Sequence, residues 1–277
     1  MSKNKKTILC IMAAVVAIVV GVIVYTLSLR APFEDKEMKR VITLHASREG
    51  IIDEDDALKK EDVKEIKKLN IGYMGYYTTL TDITSCVNLE ELYIGIPNLV
   101  RCSYYKDEVD YYDNKSKGCY GEGKDVLASS TEVKSDKIVD ELGEVLKECN
   151  KIKILYVCDI EQKYQLNSLS FLEYGKNIEE LWLDGQNVND YSQVFACEKL
   201  KTLSLEGCAI TSEHLKGIST LDKLTYLCLD DTGIENANNI IEIPNLNTLC
   251  IVGTPLAENE AEIARIYEAF PEIKIYK

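Results

Sequence analysis

Histidine is scarce in this chain, and the motifs that mark common enzyme families are missing. Only His45 and His214 are histidines, and neither belongs to an HExxH sequence or a Cys/His pattern with metal-ligand spacing. A GxSxG turn and a phosphate-binding loop are also missing from the sequence. The acidic run at 53–56 lacks the glycine and the final glutamate of a calcium-binding loop and is typical of a turn. We therefore predict no catalytic residues, no metal ligands and no cofactor.

Basic charge is also in short supply beyond the first 30 residues. The formal net charge is −14, but residues 1–30 contribute +4, so the rest of the chain carries −18. Such a surface repels phosphate backbones, which excludes nucleic acid as an expected partner. A hydrolase that uses an inconspicuous pair of carboxylates is the weakest functional alternative, because acidic pairs carry little information in so acidic a chain.

The ten cysteines show no CxxC spacing and no regular disulfide framework. Nine of them follow the N-terminal segment, so at least one of the nine has no disulfide partner. We interpret most of them as small hydrophobic core residues.

A long apolar run lies near the N-terminus. Residues 8–29 contain no charged side chain, and as a helix they would span about 33 Å, enough to cross a bilayer core. Ala31 and Leu29 make a poor cleavage site, which favours an uncleaved single-pass anchor over a cleaved signal peptide. Lysines precede the run and acidic residues follow it, so we predict a cytoplasmic N-terminus and an extracellular remainder.

One pattern dominates the rest of the sequence. Pairs of aliphatic residues in an L-x-L arrangement recur at intervals of 23, 63, 26, 22, 24 and 22 residues. The seven tripeptides are LNI at 69–71, LYI at 92–94, LYV at 155–157, LWL at 181–183, LSL at 203–205, LCL at 227–229 and LCI at 249–251. Each is preceded three residues earlier by another aliphatic residue. Repeats of this length predict a solenoid, in which stacked coils bury one another's apolar edges.

The pattern resembles the leucine-rich repeat, L-x-x-L-x-L-x-x-N/C-x-L. The segment LKTLSLEGCAI at 200–210 matches it closely, with Cys208 in the Asn/Cys slot. Gln186, Thr232 and Thr254 occupy that slot in other coils, whereas Pro97 and Ile160 interrupt it. The resemblance is nearest to bacterial cell-surface proteins of the internalin group. It implies an α/β fold, a leucine-rich repeat solenoid with a parallel concave sheet, here preceded by a single transmembrane helix.

This pattern divides the chain into three parts. Residues 1–30 form a cytoplasmic tail and transmembrane anchor, 31–57 a linker, and 58–277 the repeat domain. We expect a polar-faced capping helix at the start of that domain, and a helix at about 258–270 followed by a closing strand at its end. The 63-residue interval contains a helix over 135–149 and an inserted loop at about 101–132, for which a contact role and a solvated or disordered flap remain equal alternatives.

The residue between the two leucines faces the concave side in this fold, as do the positions that flank the pair. Aromatic residues occupy this face in several coils, and acids follow in three successive coils. We predict a solvent-facing ligand-binding set comprising Tyr93, Tyr156, Trp182, Asp184, Glu206, Tyr226 and Asp230. The alternative is that the aromatic residues merely favour strands and pack against each other. Cys228 and Cys250 share a row on adjacent coils, where we expect thiols rather than a disulfide.

These observations predict a membrane-anchored extracellular leucine-rich repeat protein that is not an enzyme. Its partner through the concave face would be a protein first and a glycan second. The alternative is a structural envelope scaffold without a dedicated ligand groove, whose partners contact the convex side or the inserted loop.

Overall fold

The computed structural model describes residues 3–95, 134–159 and 165–277, apart from the side chains of 3–11, 13, 14, 27, 134 and 135. Its helices are α1 (Lys3–Ser28), α2 (Lys36–Arg48), α3 (Lys60–Glu65), α4 (Lys134–Glu148) and α5 (Glu260–Ala269). Its strands are β1 (Lys68–Gly72), β2 (Glu91–Ile94), β3 (Ile154–Val157), β4 (Glu180–Trp182), β5 (Thr202–Ser204), β6 (Tyr226–Cys228), β7 (Thr248–Cys250) and β8 (Lys274–Tyr276). The predicted loop at 101–132 and the slots at Pro97 and Ile160 lie outside these residues.

The strands form one parallel sheet of eight strands, and their order in the sheet is their order in the chain. The first leucines of the L-x-L pairs are aligned in register from coil to coil, as in Leu181, Leu203 and Leu227. All of these leucines are fully buried in the main core on one side of the sheet. The predicted solenoid with inward-pointing aliphatic residues is therefore confirmed.

The return side of most coils is built from short 3-10 helices. These helices are Met74–Tyr76, Thr81–Ser85, Ser170–Tyr174, Ser192–Ala196, Ser212–Leu215, Ile218–Thr220, Ile240–Glu242 and Pro255–Glu258. Between β2 and β3 the longer α4 replaces them, in agreement with the helix expected over 135–149. Its apolar face, with Ile138, Leu142 and Leu146, is buried in the same core, so the long interval still contributes an ordinary coil.

The residues in the Asn/Cys slot satisfy backbone groups even where they depart from the consensus. Thr232 and Thr254 donate their hydroxyls to the carbonyls three residues earlier, at 2.6 and 2.7 Å. The Cys208 thiol reaches the Leu183 carbonyl of the preceding coil at 3.3 Å. Gln186 accepts from the Leu166 backbone N–H at 2.9 Å. Three kinds of side chain thus form hydrogen bonds with backbone groups from this slot.

Residues 31–57 are not a linker, which corrects the prediction. They contain α2, whose Met38, Val41 and Ile42 have no exposed surface and belong to the main core. Asp35 caps this helix by accepting from the Glu37 and Met38 backbone N–H groups. The apolar residues recur at helical spacing, so they bury one face of α2 against the first coil. The N-terminal cap therefore comprises α2 together with α3, the predicted capping helix.

Both ends of the stack of coils are covered by capping elements. At the first edge, His45 of α2 places its Nε2 atom 2.8 Å from the Asn70 carbonyl oxygen of β1. At the other edge, α5 is followed by β8, which pairs in parallel with β7. The predicted C-terminal helix and closing strand are both present. An uncovered edge would offer unpaired N–H and C=O groups to other chains.

The helix α1 leads directly into the N-terminal cap. Its described large apolar side chains, from Met12 to Tyr25, are all at least half exposed. Just beyond the helix, the Lys60 backbone N–H donates to the Leu29 carbonyl at 3.0 Å, and Ala31 N–H donates to the Leu58 carbonyl. Across the described residues, no helix combines the length and the apolarity needed to cross a membrane.

Candidate functional site

The strand register arranges the side chains of the second sheet face, here called the concave face, in three columns. Alternate residues of a strand point to opposite faces of the sheet, so residues two apart on one strand lie on the same face, in neighbouring columns. The first column contains Lys68, Glu91, Ile154, Glu180, Thr202, Tyr226, Thr248 and Lys274. The second contains Asn70, Tyr93, Tyr156, Trp182, Ser204, Cys228, Cys250 and Tyr276. Cys158, Asp184, Glu206 and Asp230 follow in the third.

The predicted aromatic residues do form a contiguous row. Tyr93 packs edge-on against Tyr156 with ring centroids 4.7 Å apart, and Tyr156 stacks on Trp182 at 5.0 Å. Tyr226 continues the stack from the first column, 6.5 Å from Trp182. These four residues belong to an apolar cluster separate from the leucine core, because the sheet lies between the two clusters.

The row is not exposed to solvent, which corrects the prediction of a solvent-facing set. Trp182 and Tyr156 have no exposed surface, and Tyr93 and Tyr226 are 2 % and 4 % exposed. The rings cover one another's faces, and each residue makes further contacts as well. An aromatic side chain buries about 150–250 Å², and about 25 cal/mol is gained per Å² of apolar surface removed from water. This gain favours a covered row over an open one.

Two glutamates of the first column satisfy the polar tips of the aromatic row. Glu180 Oε1 accepts from the Tyr156 hydroxyl at 2.5 Å and from the Trp182 indole N–H at 2.9 Å. Glu91 accepts from the Tyr93 hydroxyl at 2.5 Å and pairs with Lys68 at 2.6 Å. The sequence analysis missed both glutamates. The strand alternation could have identified them, since each lies two residues before an aromatic residue of the row.

The predicted acidic residues are also buried, and the carboxylates of Asp184 and Asp230 accept hydrogen bonds from the backbone of the next coil. Asp184 Oδ1 accepts from the Ser204 hydroxyl at 2.6 Å and from the Glu206 backbone N–H at 3.1 Å. Asp230 Oδ1 accepts from the Val252 backbone N–H at 2.7 Å. Asp184, Glu206 and Asp230 are all at most 3 % exposed. Their expected solvent exposure is therefore wrong, and coil-to-coil hydrogen bonds hold Asp184 and Asp230 in their buried positions.

The first column is more accessible than the other two. Lys68, Glu91, Ile154, Glu180 and Thr202 are all half-buried. The ion pair between Lys68 and Glu91 leaves their side chains 29 % and 26 % exposed. Two other members of the same column, Tyr226 and Thr248, are buried, so the accessible part of the column is confined to the coils before them and to its end at Lys274.

Two cysteines and an aspartate converge farther along the face. One possible ligand atom from each of Cys228, Cys250 and Asp230 lies within 4.8 Å of the other two, and all three residues are buried. Cys228 and Cys250 are thiols, as expected. At the start of the third column, burial raises the pKa of the Cys158 thiol well above its ordinary value, and the charge of Asp184 adds to the shift. The sequence analysis missed this group because its members belong to two different coils.

Stacked coils, a parallel sheet in chain order and a leucine core give this chain the leucine-rich repeat fold. It matches no protein-family model and no curated protein. Among solved structures it is similar to internalin C2 of Listeria monocytogenes, with 18% identity over 84% of this chain and 90% of that one, at a TM-score of 0.50.

Two further structures are similar at lower TM-scores. A leucine-rich repeat protein of Leptospira interrogans shows 18% identity over 79% of this chain and 51% of that one, at a TM-score of 0.47. Another Listeria monocytogenes internalin shows 16% identity over 80% of this chain and 57% of that one, at 0.49. The leucine-rich repeat fold predicted from the sequence is confirmed by the strand order and by the similarity to internalin C2.

Proposed function

We propose that this chain is a binding protein rather than an enzyme, and that it holds a protein partner against the concave face. The observation that carries the proposal is the eight-stranded parallel sheet with its side chains in register. Seven strand spacings of about 4.8 Å give a face about 34 Å long. A continuous surface of this length suits a folded protein or an extended peptide better than a small molecule. A glycan is the second candidate.

The proposed contact begins at the half-buried first column. Lys68, Glu91 and Glu180 offer charged groups there, and Thr202 and Ile154 offer smaller contacts. Of the predicted set, Tyr226 belongs to this column but is buried, and the other members lie in the second and third columns, namely Tyr93, Tyr156, Trp182, Asp184, Glu206 and Asp230. In the proposal these residues join the interface only where partner contacts replace those that now bury them. The first column therefore governs initial recognition, and the aromatic row would supply anchors.

The test places a bulky charge on the concave face without cutting into the core. The full chain, solubilised in detergent and carrying a photo-crosslinker at position 202, is used to identify the partner from the native cell surface. Thr202→Arg should then weaken binding of that partner at least 10-fold, because it obstructs the first column. The matched control is Thr220→Arg at an exposed site of the return side. Equal affinity of both variants would contradict the proposal, provided that their unfolding temperatures match that of the wild type.

The alternative function is a structural scaffold, and the burial of the aromatic row favours it. If the row is only a second core, partners should contact the return side. Crosslinks from position 220 but not from position 202 would then be obtained. Loss of binding in Thr220→Arg with normal binding in Thr202→Arg would support the same conclusion.

We further propose that α1 anchors the protein in a membrane, with the repeat domain on the extracellular side. The support is the uncharged run over residues 8–29 and the exposure of its described side chains, such as Val16 at 60 % and Val20 at 52 %. Because α1 is followed at once by backbone hydrogen bonds to the cap, the repeat domain would be held close to the membrane surface.

The anchor can be tested by phase partitioning of the full chain in a temperature-sensitive detergent. The wild type should enter the detergent phase. The double variant Val16→Lys and Val20→Lys should move to the aqueous phase, since a charge at the centre of a spanning helix costs about 2.5–3.5 kcal/mol. Val252 and Tyr267, exposed apolar residues outside α1, provide the control pair for lysine substitution. Retention of the α1 variant in detergent would contradict the anchor.

A further inference from the structure

We propose that Cys228, Cys250 and Asp230 form a binding site for one thiophilic divalent cation of the zinc type. Their ligand atoms all lie within 4.8 Å of one another. The residues are 0 %, 1 % and 3 % exposed. The site is independent of the proposed partner binding, because it depends only on how two neighbouring coils stack.

The repeat itself brings the three side chains together. Cys228 of β6 and Cys250 of β7 are partners in the parallel register, so their backbones lie one strand spacing apart. The ladder continues past the strand end, where the Leu229 N–H donates to the Cys250 carbonyl at 2.8 Å. Asp230 is two residues beyond Cys228 and therefore points to the same face. The donors thus come from consecutive concave positions of two coils.

The donor set and its spacing suit zinc. Zinc binds cysteine thiolates at about 2.3 Å and carboxylate oxygens at about 2.0–2.2 Å in tetrahedral geometry. Ligand atoms at these bond lengths in a tetrahedral site lie roughly 3.3–3.8 Å apart. Small side-chain rotations that move each ligand atom by less than about 1 Å would therefore bring the three atoms to this spacing. Thiolate ligands select zinc over magnesium and calcium, which prefer oxygen. Three protein ligands leave a fourth position for water or another donor.

Neighbouring groups already orient the ligands. The Val252 backbone N–H donates to Asp230 Oδ1 at 2.7 Å, which fixes the carboxylate. The Tyr226 hydroxyl lies 3.3 Å from Cys250 Sγ and can donate to a thiolate there. Such outer hydrogen bonds hold ligands in place and tune the metal. Binding would convert two thiols to thiolates and release two protons to solvent, so affinity should rise with pH.

Another pair of buried cysteines provides a matched control. Cys149 donates its thiol to the Cys86 carbonyl at 3.3 Å and to the Ile83 carbonyl at 3.4 Å. These cysteines also lie on neighbouring coils, but they form no three-ligand group among the described residues. A serine at position 149 can donate the same hydrogen bonds and should fold.

The experiment is a titration of the full chain in detergent with Co²⁺, under reducing and oxygen-free conditions. We expect one equivalent to bind with the visible and charge-transfer bands of tetrahedral thiolate-bound cobalt, and Zn²⁺ to displace it. Cys228→Ser and Cys250→Ser should each lose the thiolate bands. Asp230→Asn keeps an acceptor for the Val252 N–H but loses its charge, and should weaken binding at least 10-fold. Cys149→Ser should bind normally.

Several results would overturn the site. These are no thiolate bands in the wild type, bands that persist in both serine variants, bands lost equally in Cys149→Ser, or a Cys228–Cys250 disulfide in the isolated protein. Thermal unfolding without metal shows whether each variant folds. If a serine variant does not fold, two other measurements test the site. Asp230→Asn should still bind cobalt more weakly, and zinc should raise the unfolding temperature of the wild type in a way that a chelator reverses. An equal rise in Asp230→Asn would contradict the assignment.

Discussion

The turn that follows each strand depends on a residue in the left-handed backbone region. Gly185, Gly207, Asp231 and Gly253 occupy equivalent positions in four consecutive coils, with φ between 54° and 75°. Glycine adopts this conformation without penalty because it lacks a Cβ atom. Asp231 is the exception, and aspartate is among the few other residues that tolerate it. In an earlier coil, Gly95 has φ 82°.

Gly95 should accept a side chain far less readily than Gly207. A Cβ atom there would lie 1.9 Å from the Cys158 carbonyl oxygen, whereas one at Gly207 would meet nothing within 4 Å. Gly95→Ala should therefore cost about 4 kcal/mol or more of unfolding free energy, and Gly207→Ala only about 1–2 kcal/mol from backbone strain. Denaturant unfolding measures both. Equal losses would show that conformation alone, and not the close contact, determines the cost.

His45 should make stability depend on pH. Burial lowers the pKa of this imidazole below 6.5, partly offset by the hydrogen bond with the Asn70 carbonyl, and the charge of Arg48 lowers it further. The folded state therefore favours the neutral ring, so this contribution is complete above pH 6.5 and is lost as the pH falls toward the folded pKa. Between pH 7.5 and 5 the unfolding temperature should fall more steeply in the wild type than in His45→Gln. Parallel curves would contradict this role.

Strand alternation determines which residues share a face, and this much could be predicted. It correctly grouped Tyr93, Tyr156 and Trp182 in one row. Alternation carries no information about whether a face is covered, because covering depends on contacts distant in sequence. The burial of Trp182 and the carboxylate bonds of Glu180 therefore required coordinates.

At the scale of elements, the N-terminal cap is held by a short hydrogen-bond network. Asp35 accepts from the Thr78 backbone N–H and hydroxyl, both at 2.6 Å, in addition to capping α2. Asp82 accepts in turn from the Glu34 and Asp35 backbone N–H groups, at 2.9 and 2.8 Å. Burial would raise the pKa of the Asp35 carboxyl, but the hydrogen bonds from Thr78, Met38 and Glu37 hold it below its ordinary value. The carboxylate therefore stabilises both the helix and its docking.

Removing this carboxylate should loosen the cap. Asp35→Ala is expected to cost about 2–4 kcal/mol, since it removes an N-cap worth about 1 kcal/mol and leaves buried donors unsatisfied. Asp35→Asn should cost less. Because the pKa of Asp35 in the folded state lies below 3.8, the difference in stability between each variant and the wild type should shrink as the pH falls below 3.8 and through the folded pKa. Thermal unfolding measures the effect. The control is Asp55→Ala, which lies in the exposed turn. A loss no larger than in Asp55→Ala would contradict it.

The elements with strong periodicity could be predicted from sequence, and the cap shows what limits such predictions. The L-x-L repeat specified the strands because each copy confirms the next. The cap helix α2 occurs once, so repetition gave no support. Its signal is local: Asp35 at the N-cap, then Met38, Val41, Ile42 and His45 at helical spacing. From that pattern, a helix could have been predicted in place of the linker expected over 31–57.

At the scale of the whole molecule, the two sheet edges are protected differently. His45 and α2 shield β1, whereas β8 closes the other end with Lys274 and Lys277 nearby. Lysine side chains discourage pairing between edges. Pairing of Leu249 with Ile275 and of Cys250 with Tyr276 covers β7.

Removal of residues 274–277 should make the protein self-associate. The truncation exposes the backbone groups of β7, which are then free to pair with a second chain. Light scattering after size-exclusion chromatography should show a concentration-dependent increase in mass. Removal of Lys277 alone, which breaks only its ion pair with the exposed Glu260, should leave the mass unchanged. A monomeric truncated protein would show that β8 is dispensable for edge protection.

Strand order that follows chain order has a consequence for how such a protein changes during evolution. Each interior strand pairs only with the strand before it and the strand after it, so a duplication of residues 201–224 would add one new junction between coils and keep the two existing ones. The molecule would lengthen by about 4.8 Å, with its two ends intact. The length of the solenoid can therefore change by whole coils during evolution, and a coil can be gained or lost without changes in the rest of the molecule.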